Sequence, residues 1–156
     1  NNSSWKLMIV GDATTEYGIK LINKYLKNRD LKDKIIFTGK QKNVRELLDL
    51  SEIYVQSSRM EGAPIAIQEA MANGKIIIGS NIPGIKDQLK LFPDHLFNAG
   101  NVIDLKNKLG QFLSKTSNEN KVIGEKFVDF VGSNYDLTIE KEDVEKFYHK
   151  LINNIN

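Results

Sequence analysis

The chain has 156 residues, of which 40% are hydrophobic and 27% are charged, values that predict one ordinary globular domain. Twenty-two basic residues against 20 acidic ones leave a net charge of +2. Because the two signs are interspersed, no basic block indicates a nucleic-acid partner. The absence of cysteine excludes disulfides and fits a cytoplasmic protein, and no apolar run approaches the ~20 residues that span a bilayer.

The beginning of the sequence resembles neither a natural initiator nor a signal peptide, since it runs Asn1-Asn2-Ser3-Ser4. We therefore expect residues 1–5 to be a cut site or a cloning remnant. The chain is then expected to be an excised part of a longer protein.

Strand-like and helix-like segments alternate over the first half of the chain. Four apolar, β-rich runs predict buried strands: Lys6–Val10, Lys34–Thr38, Ile53–Val55 and Lys75–Gly79. Apolar residues at helical spacing predict the intervening helices, at about 16–27, 44–50 and 65–73. This alternation predicts an α/β fold, Rossmann-like, with a mostly parallel sheet and helices on both faces.

The second half of the chain is less regular. The sequence Ile82-Pro83-Gly84 predicts a turn, and Leu96-Phe97 predicts a short strand. Two further helices are predicted at about 102–114 and 119–131, with a polar loop over 114–120. A final helix capped by Thr138 would carry one apolar stripe against a neighbouring helix or domain: Val144, Phe147, Tyr148, Leu151, Ile152 and Ile155.

The segment that follows the third predicted strand contains the candidate site. Glu61 lies where an α/β sheet places its ligands, beyond the carboxyl end of a strand. Gly62 lets a ligand approach the backbone, and Pro64 suits the first turn of the next helix, whose free N–H groups can meet phosphate or sugar oxygens. Glu69 falls one turn into that helix. The E-x7-E spacing alone fits two solvated glutamates equally well.

Several motifs occur in an order that resembles the donor-binding half of family-4-like retaining GT-B glycosyltransferases. They are Ile9-Val10-Gly11-Asp12, Ile35–Gly39, Val44–Leu48 and the stretch from Ser58 to Gly74. The resemblance covers about residues 6–114. It implies that residues 1–156 form a single nucleotide-sugar-binding domain, the C-terminal half of a two-domain enzyme whose missing N-terminal half binds the acceptor.

The resemblance also implies roles for individual residues. Glu61 would bind hydroxyls of the transferred sugar at the catalytic position, and Glu69 would bind the ribose hydroxyls. The other implied donor contacts are the backbone of Gly62, Ala63 and Pro64 at the sugar and pyrophosphate, the N–H of Ile65 at a phosphate, Lys40 and Val44 at the nucleobase, and Gly11 on the floor of the cleft.

The implied reaction is retaining transfer of a hexosyl unit from a nucleotide-sugar, foremost a UDP-sugar, to a saccharide or lipid-linked acceptor. The expected setting is bacterial surface-polysaccharide (O-antigen or capsule) biosynthesis, in the cytoplasm or peripherally at the inner face of its membrane. No cofactor is implied. The lack of an Asp-x-Asp sequence fits a metal-independent site, and His95 and His149 lack metal-ligand spacing.

The chain departs from the family pattern at three places. Ala13-Thr14 stands where the family has Gly-Pro, Lys86-Asp87 stands where it has Pro-Glu, and the phosphate-binding Arg and Lys of the family would precede residue 1. We therefore expect the isolated chain to bind donor weakly and to transfer nothing. Two alternatives stay open: half of a sugar-nucleotide 2-epimerase, and a non-enzymatic flavodoxin-like interaction module.

Overall fold

The computed structural model describes residues 5–135, 144–146 and 150, and the chain divides into two compact units, residues 1–44 and 45–156. Within this described part of the chain the strands pair in parallel and alternate with helices, which confirms the predicted α/β class. The strands form two hydrogen-bonded sheets, one of two strands and one of three, where the sequence predicts one. Hydrophobic patterns identify extended segments, but strand partners depend on packing context that the pattern does not contain.

The first unit contains a strand pair and one connecting helix. Strand β1 (Leu7–Val10) pairs with β2 (Ile35–Gly39), and the register shifts after Ile9. Helix α1 (Glu16–Leu26) lies between them in sequence and is capped by Thr15, whose hydroxyl oxygen accepts a hydrogen bond from the Gly18 N–H at 3.1 Å. No residue of α1 is buried.

The second unit contains a three-stranded sheet in the order β3-β4-β5, formed by Ile53–Gln56, Ile76–Ser80 and Leu96–Phe97. The central strand β4 is buried along its whole length. Over residues 44–135 the remaining helices are α2 (Val44–Asp49), α3 (Ile65–Ala72), α4 (Pro83–Gln88), a 3₁₀ turn (Pro93–His95), α5 (Val102–Leu113) and α6 (Ser117–Asn134).

Helices pack on both faces of this sheet, as the sequence predicts. On one face, Ile76 and Ile78 of β4 join Phe112 of α5 in a buried cluster. On the other face, Gly79 lies against α4, since a Cβ atom there would come within 2.5 Å of the Ile85 side chain. Side chains alternate between the faces of a strand, so β4 contributes to both layers of the core.

Two predictions about the second half are wrong. Ile82-Pro83-Gly84 does not form an isolated turn but leads into α4, because Pro83 is pre-organised for a first helical turn and Ile85 is fully buried. Helix α6 begins at Ser117, before the predicted start, because the Thr116 and Glu119 side chains form a reciprocal capping box. The polar loop is correspondingly shorter than predicted.

The predicted final helix falls largely outside the described residues, including its capping Thr138 and most of its apolar stripe. Val144 is described and is exposed. Among the described residues, no helix is both long and apolar enough to cross a membrane.

His95 lies in the aromatic core of the second unit. Its Nδ1 is 2.7 Å from the Ile77 carbonyl oxygen. The centroid of its ring lies 4.5 Å from the ring centroid of Phe112 and 5.0 Å from that of Phe127. Burial lowers the pKa of His95, although the Ile77 carbonyl and Asp94 oppose this effect, while Lys108 and Lys115 add to it. The buried imidazole is therefore a neutral core residue that donates one hydrogen bond.

This pKa shift predicts that the free energy of unfolding falls as the solution is acidified from about pH 7.5 to pH 5.5. The unfolded histidine takes up a proton near about pH 6.5, whereas the folded one does so only at lower pH, so protons favour the unfolded chain. Urea unfolding at several pH values measures the slope. His95→Asn keeps a donor for Ile77 without a titrating ring, and should reduce the slope; an unchanged slope would show that other groups cause it.

Candidate functional site

The candidate site is built on the junction between β3 and α3. The strand ends at Gln56 and the helix begins at Ile65. Pro64 is the N-cap residue, one position before the predicted first turn, with an extended backbone. The helix stops where predicted, because Gly74 adopts φ +65° just beyond the C-cap residue Asn73.

Helix α3 is anchored on one side and open on the other. Ile67, Ala70 and Met71 are fully buried, whereas Ile65 and Glu69 are exposed. The first N–H groups of a helix lack intrahelical acceptors and carry partial positive charge. A fixed helix therefore presents its N-terminus, and Glu69 one turn later, on the accessible side.

Glu61 is held by a network of side chains in the second unit. One carboxylate oxygen, Oε1, accepts hydrogen bonds from the Ser58 hydroxyl at 2.6 Å and from the Gln56 amide at 2.9 Å. The Gln56 amide also donates to Ser58 Oγ at 2.9 Å. Two donors to one oxygen fix the direction of the carboxylate and leave Oε2 as the oxygen that can meet a ligand hydroxyl.

Tyr54 fixes the orientation of the Gln56 amide. The two residues are two apart on β3 and share a face of the strand, and the Tyr54 hydroxyl donates to Gln56 Oε1. The amide NH₂ group must therefore point toward Ser58 and Glu61. Hydrogen bonds pass in one direction along this chain, from the phenol to the carboxylate, which acts only as an acceptor.

Tyr54 experiences the charge of both glutamates. Burial, together with the negative charges of Glu61 and Glu69, raises the pKa of Tyr54 to about 12. Repulsion from a carboxylate disfavours the phenolate, so each glutamate makes the phenol harder to ionise.

The raised pKa predicts a late ionisation step for Tyr54. In an ultraviolet titration Tyr54 should ionise near pH 12, about two pH units above the ordinary tyrosine value, and Tyr54→Phe should remove that late step. Neutralising either glutamate, by Glu61→Gln or Glu69→Gln, should move the Tyr54 step to lower pH. A step that stays in place in both variants would mean that the carboxylates lie too far from the phenol to influence it.

Two of the three predicted residues of the first unit, Gly11 and Lys40, lie at the ends of β1 and β2. Gly11, with φ +119°, donates its N–H to the Gly39 carbonyl at 2.9 Å. The Lys40 N–H donates to Asp12 Oδ1 at 2.8 Å, so the two strand-end loops are joined. The Lys40 side chain is exposed, and Val44 begins α2.

The predicted residues thus fall in two groups: Gly11, Lys40 and Val44 in the first unit, and the segment from Glu61 to Glu69 in the second. Three residues were not predicted from the sequence: Gln56 and Ser58, which donate to Glu61, and Tyr54, which donates to Gln56. One signal was available, because polar groups two apart at the end of a strand point in one direction. Gly62 and Ala63 are exposed, as a close backbone approach requires.

The family of the chain determines how this site is interpreted. The sequence model described as "Glycosyl transferases group 1" matches residues 1–127, which is most of the chain. The chain belongs to the group 1 glycosyltransferase family. This matched stretch includes both groups of predicted site residues.

Relatives and solved structures agree with this group 1 assignment. The capsular polysaccharide biosynthesis glycosyltransferase CapH of Staphylococcus aureus is 27% identical over 151 residues, 94% of this chain and 39% of CapH. The Anabaena HepE structure with UDP-glucose has a TM-score of 0.80 at 18% identity, over 92% of this chain and 41% of HepE. The C-terminal domain of LpcC from Francisella tularensis has a TM-score of 0.74 at 20% identity, over 85% and 71%.

The structural matches show that this group 1 chain has the fold of GT-B glycosyltransferases. The likeness to LpcC is a likeness to a C-terminal domain. The chain spans between 19% and 39% of the length of the curated relatives that it matches. The relatives are therefore considerably longer than the stretch they share with it.

Proposed function

We propose that this chain is the donor-binding, C-terminal half of a retaining glycosyltransferase that uses a nucleotide-sugar, with a UDP-sugar as the donor. The observation that carries the proposal is the Glu61 carboxylate, which Gln56 and Ser58 hold between the end of β3 and the N-terminus of α3. Family membership gives the reaction class. HepE has been solved with UDP and with UDP-glucose, which favours uridine nucleotides as the first donors to test.

In this proposal Glu61 binds hydroxyls of the transferred hexose. Its Oε1 is occupied by Ser58 and Gln56, so Oε2 is the oxygen that accepts from the sugar. A carboxylate held by two hydrogen bonds loses little side-chain freedom when the sugar binds. Glu61 therefore positions the sugar and does not need to act as a nucleophile.

The diphosphate of the donor would bind at the N-terminus of α3. The exposed backbone of Gly62 and Ala63, the N-cap Pro64 and the N–H of Ile65 surround this end of the helix. Helix N–H groups and the helix dipole stabilise negative charge. Glu69, one turn further and exposed, would bind the ribose hydroxyls.

The reaction we propose is substitution at the anomeric carbon with retention of configuration. An acceptor hydroxyl oxygen forms the new bond to that carbon while the bond to the diphosphate oxygen breaks. The leaving diphosphate takes the bonding electron pair, and the acceptor proton passes to it. The N–H groups of α3 stabilise the developing charge, and we propose that neither a metal nor a cofactor takes part.

The remaining assignments complete the proposed enzyme. Lys40 and Val44 would edge the nucleobase pocket, and Gly11 would leave room at the floor of the cleft. The rest of the full-length protein would bind a saccharide or lipid-linked acceptor. CapH acts in capsular polysaccharide biosynthesis, which favours a bacterial surface polysaccharide as the product, made in the cytoplasm or at the inner face of its membrane.

Calorimetric titration of the full-length protein that carries this chain tests the proposal. UDP-glucose, UDP-galactose, UDP-N-acetylglucosamine, GDP-mannose and ADP-glucose form the panel. We expect saturable binding of one UDP-sugar, and UDP release only when an acceptor is present, which separates transfer from epimerisation. Absence of binding across the panel at millimolar ligand would overturn the proposal, and transfer by residues 1–156 alone would contradict the predicted inactivity of the isolated chain.

A further inference from the structure

The loop that carries Glu61 rests on a buried support formed by the end of β4 and by α4. Ser80, the last residue of β4, is fully buried, and its hydroxyl donates to the Ser58 carbonyl at 2.6 Å. Gln88, on α4, is 3% exposed, and its amide donates to the Pro64 carbonyl at 3.3 Å. Both ends of the loop are therefore tied to buried side chains.

Between these two points, Gly84 of α4 touches the loop backbone itself. A Cβ atom at Gly84 would lie 2.5 Å from the Glu61 carbonyl oxygen, 2.6 Å from the Gly62 carbonyl carbon and closer still to the Gly62 oxygen. Its backbone has no positive φ, so space, and not conformation, requires glycine here. Gly84 and Gln88 are four residues apart and share one face of α4.

We propose that Ser80, Gly84 and Gln88 are positioning residues that set the location of Glu61 by holding the backbone of residues 58–64. This inference rests on the proposed function for the meaning of that location. The three residues act on successive carbonyl groups, from Ser58 through Glu61 and Gly62 to Pro64. None of them needs to touch the donor.

The two sets of residues hold different parts of Glu61. Tyr54, Gln56 and Ser58 fix the direction of the Glu61 carboxylate through its side chain. Ser80, Gly84 and Gln88 fix the position of the backbone from which that side chain extends. A displacement on the order of 1 Å is enough to reduce productive binding strongly, so both sets are needed.

Gly84→Ala is the direct test, and Gly110→Ala is its matched control. Gly110 lies in α5 and a Cβ atom there meets nothing within 4 Å. In the ligand-free protein, Gly84→Ala should shift the backbone amide resonances of residues 58–64, and Gly110→Ala should not. In titrations with UDP-glucose, Gly84→Ala should raise Kd by about tenfold or more with unchanged stoichiometry.

The two readouts separate the possible explanations. A purely structural role would lower the stoichiometry by reducing the folded fraction, without changing Kd. Unmoved loop resonances in Gly84→Ala would overturn the inference. A third outcome combines shifted loop resonances in Gly84→Ala with a wild-type protein that binds no UDP-sugar. It would refute the proposed function and leave the support of the loop established.

A second variant keeps the test decisive if Gly84→Ala does not fold. Gln88→Met has nearly the same shape, removes the donor to Pro64 and also removes Gln88 Oε1, which is buried without a partner among the described residues. It should fold normally, move the amide resonances around Pro64 and raise Kd for UDP-glucose by about threefold to tenfold. Unmoved resonances near Pro64 in this variant would equally overturn the inference.

Discussion

Replacing Glu69 by glutamine should weaken the binding of UDP and of UDP-glucose by the same factor, whereas Glu61→Gln should weaken only the binding of UDP-glucose. Glu69 is proposed to bind the ribose, which both ligands contain. Glu61 is proposed to bind the hexose, which UDP lacks. Hydrogen bonds to charged groups contribute about 1.5–3 kcal/mol, so each affected Kd should rise about tenfold to a hundredfold.

Glutamine keeps the shape of the side chain, so these variants test the charge and not the packing. Calorimetry on the full-length wild type and on both variants, each with the two ligands, gives six Kd values. Glu125→Gln is the control, because Glu125 is solvated on α6 with Lys121 at 4.0 Å, and it should leave both wild-type Kd values unchanged. Equal losses for UDP and UDP-glucose in Glu61→Gln would contradict the assignment of Glu61 to the sugar.

Much of this site could be predicted from the sequence because its backbone positions follow from local rules. Glu61 had to follow a strand, and Glu69 had to lie one turn into a helix that Gly74 ends. The network through Tyr54, Gln56 and Ser58 could not be predicted in the same way. It depends on side-chain rotamers and on the direction of one amide, which strand periodicity restricts but does not determine.

In the fold, too, the features set by local sequence could be predicted, and those set by contacts between distant residues could not. The four main strands and most helices follow from hydrophobic periodicity. Helix α4 was missed because Pro83-Gly84 is typical of turns, whereas its stability comes from burial of Ile85 and Leu89 against Gly79. That contact joins residues from different elements, so no local pattern reports it.

Gly124→Ala in α6 should destabilise the protein. The helix passes so close to the end of α3 that a Cβ atom at Gly124 would overlap the Gly74 carbonyl oxygen and lie 3.0 Å from its carbon. A backbone carbonyl cannot rotate away as a side chain can. Overpacking of this kind typically costs about 1–3 kcal/mol or more, which exceeds the roughly 1 kcal/mol that alanine gains over glycine within a helix.

Gly132→Ala, the same substitution in the same helix, should instead stabilise the protein. A Cβ atom at Gly132 meets nothing within 4 Å, so only the helix propensity acts and the protein should gain about 0.5–1 kcal/mol. Urea unfolding of the two variants should therefore move the midpoint in opposite directions. If Gly124→Ala were as stable as Gly132→Ala, α6 would have to move away from α3 at little cost. Because Gly74 ends the helix that carries Glu69, such freedom would also argue against a rigid donor site.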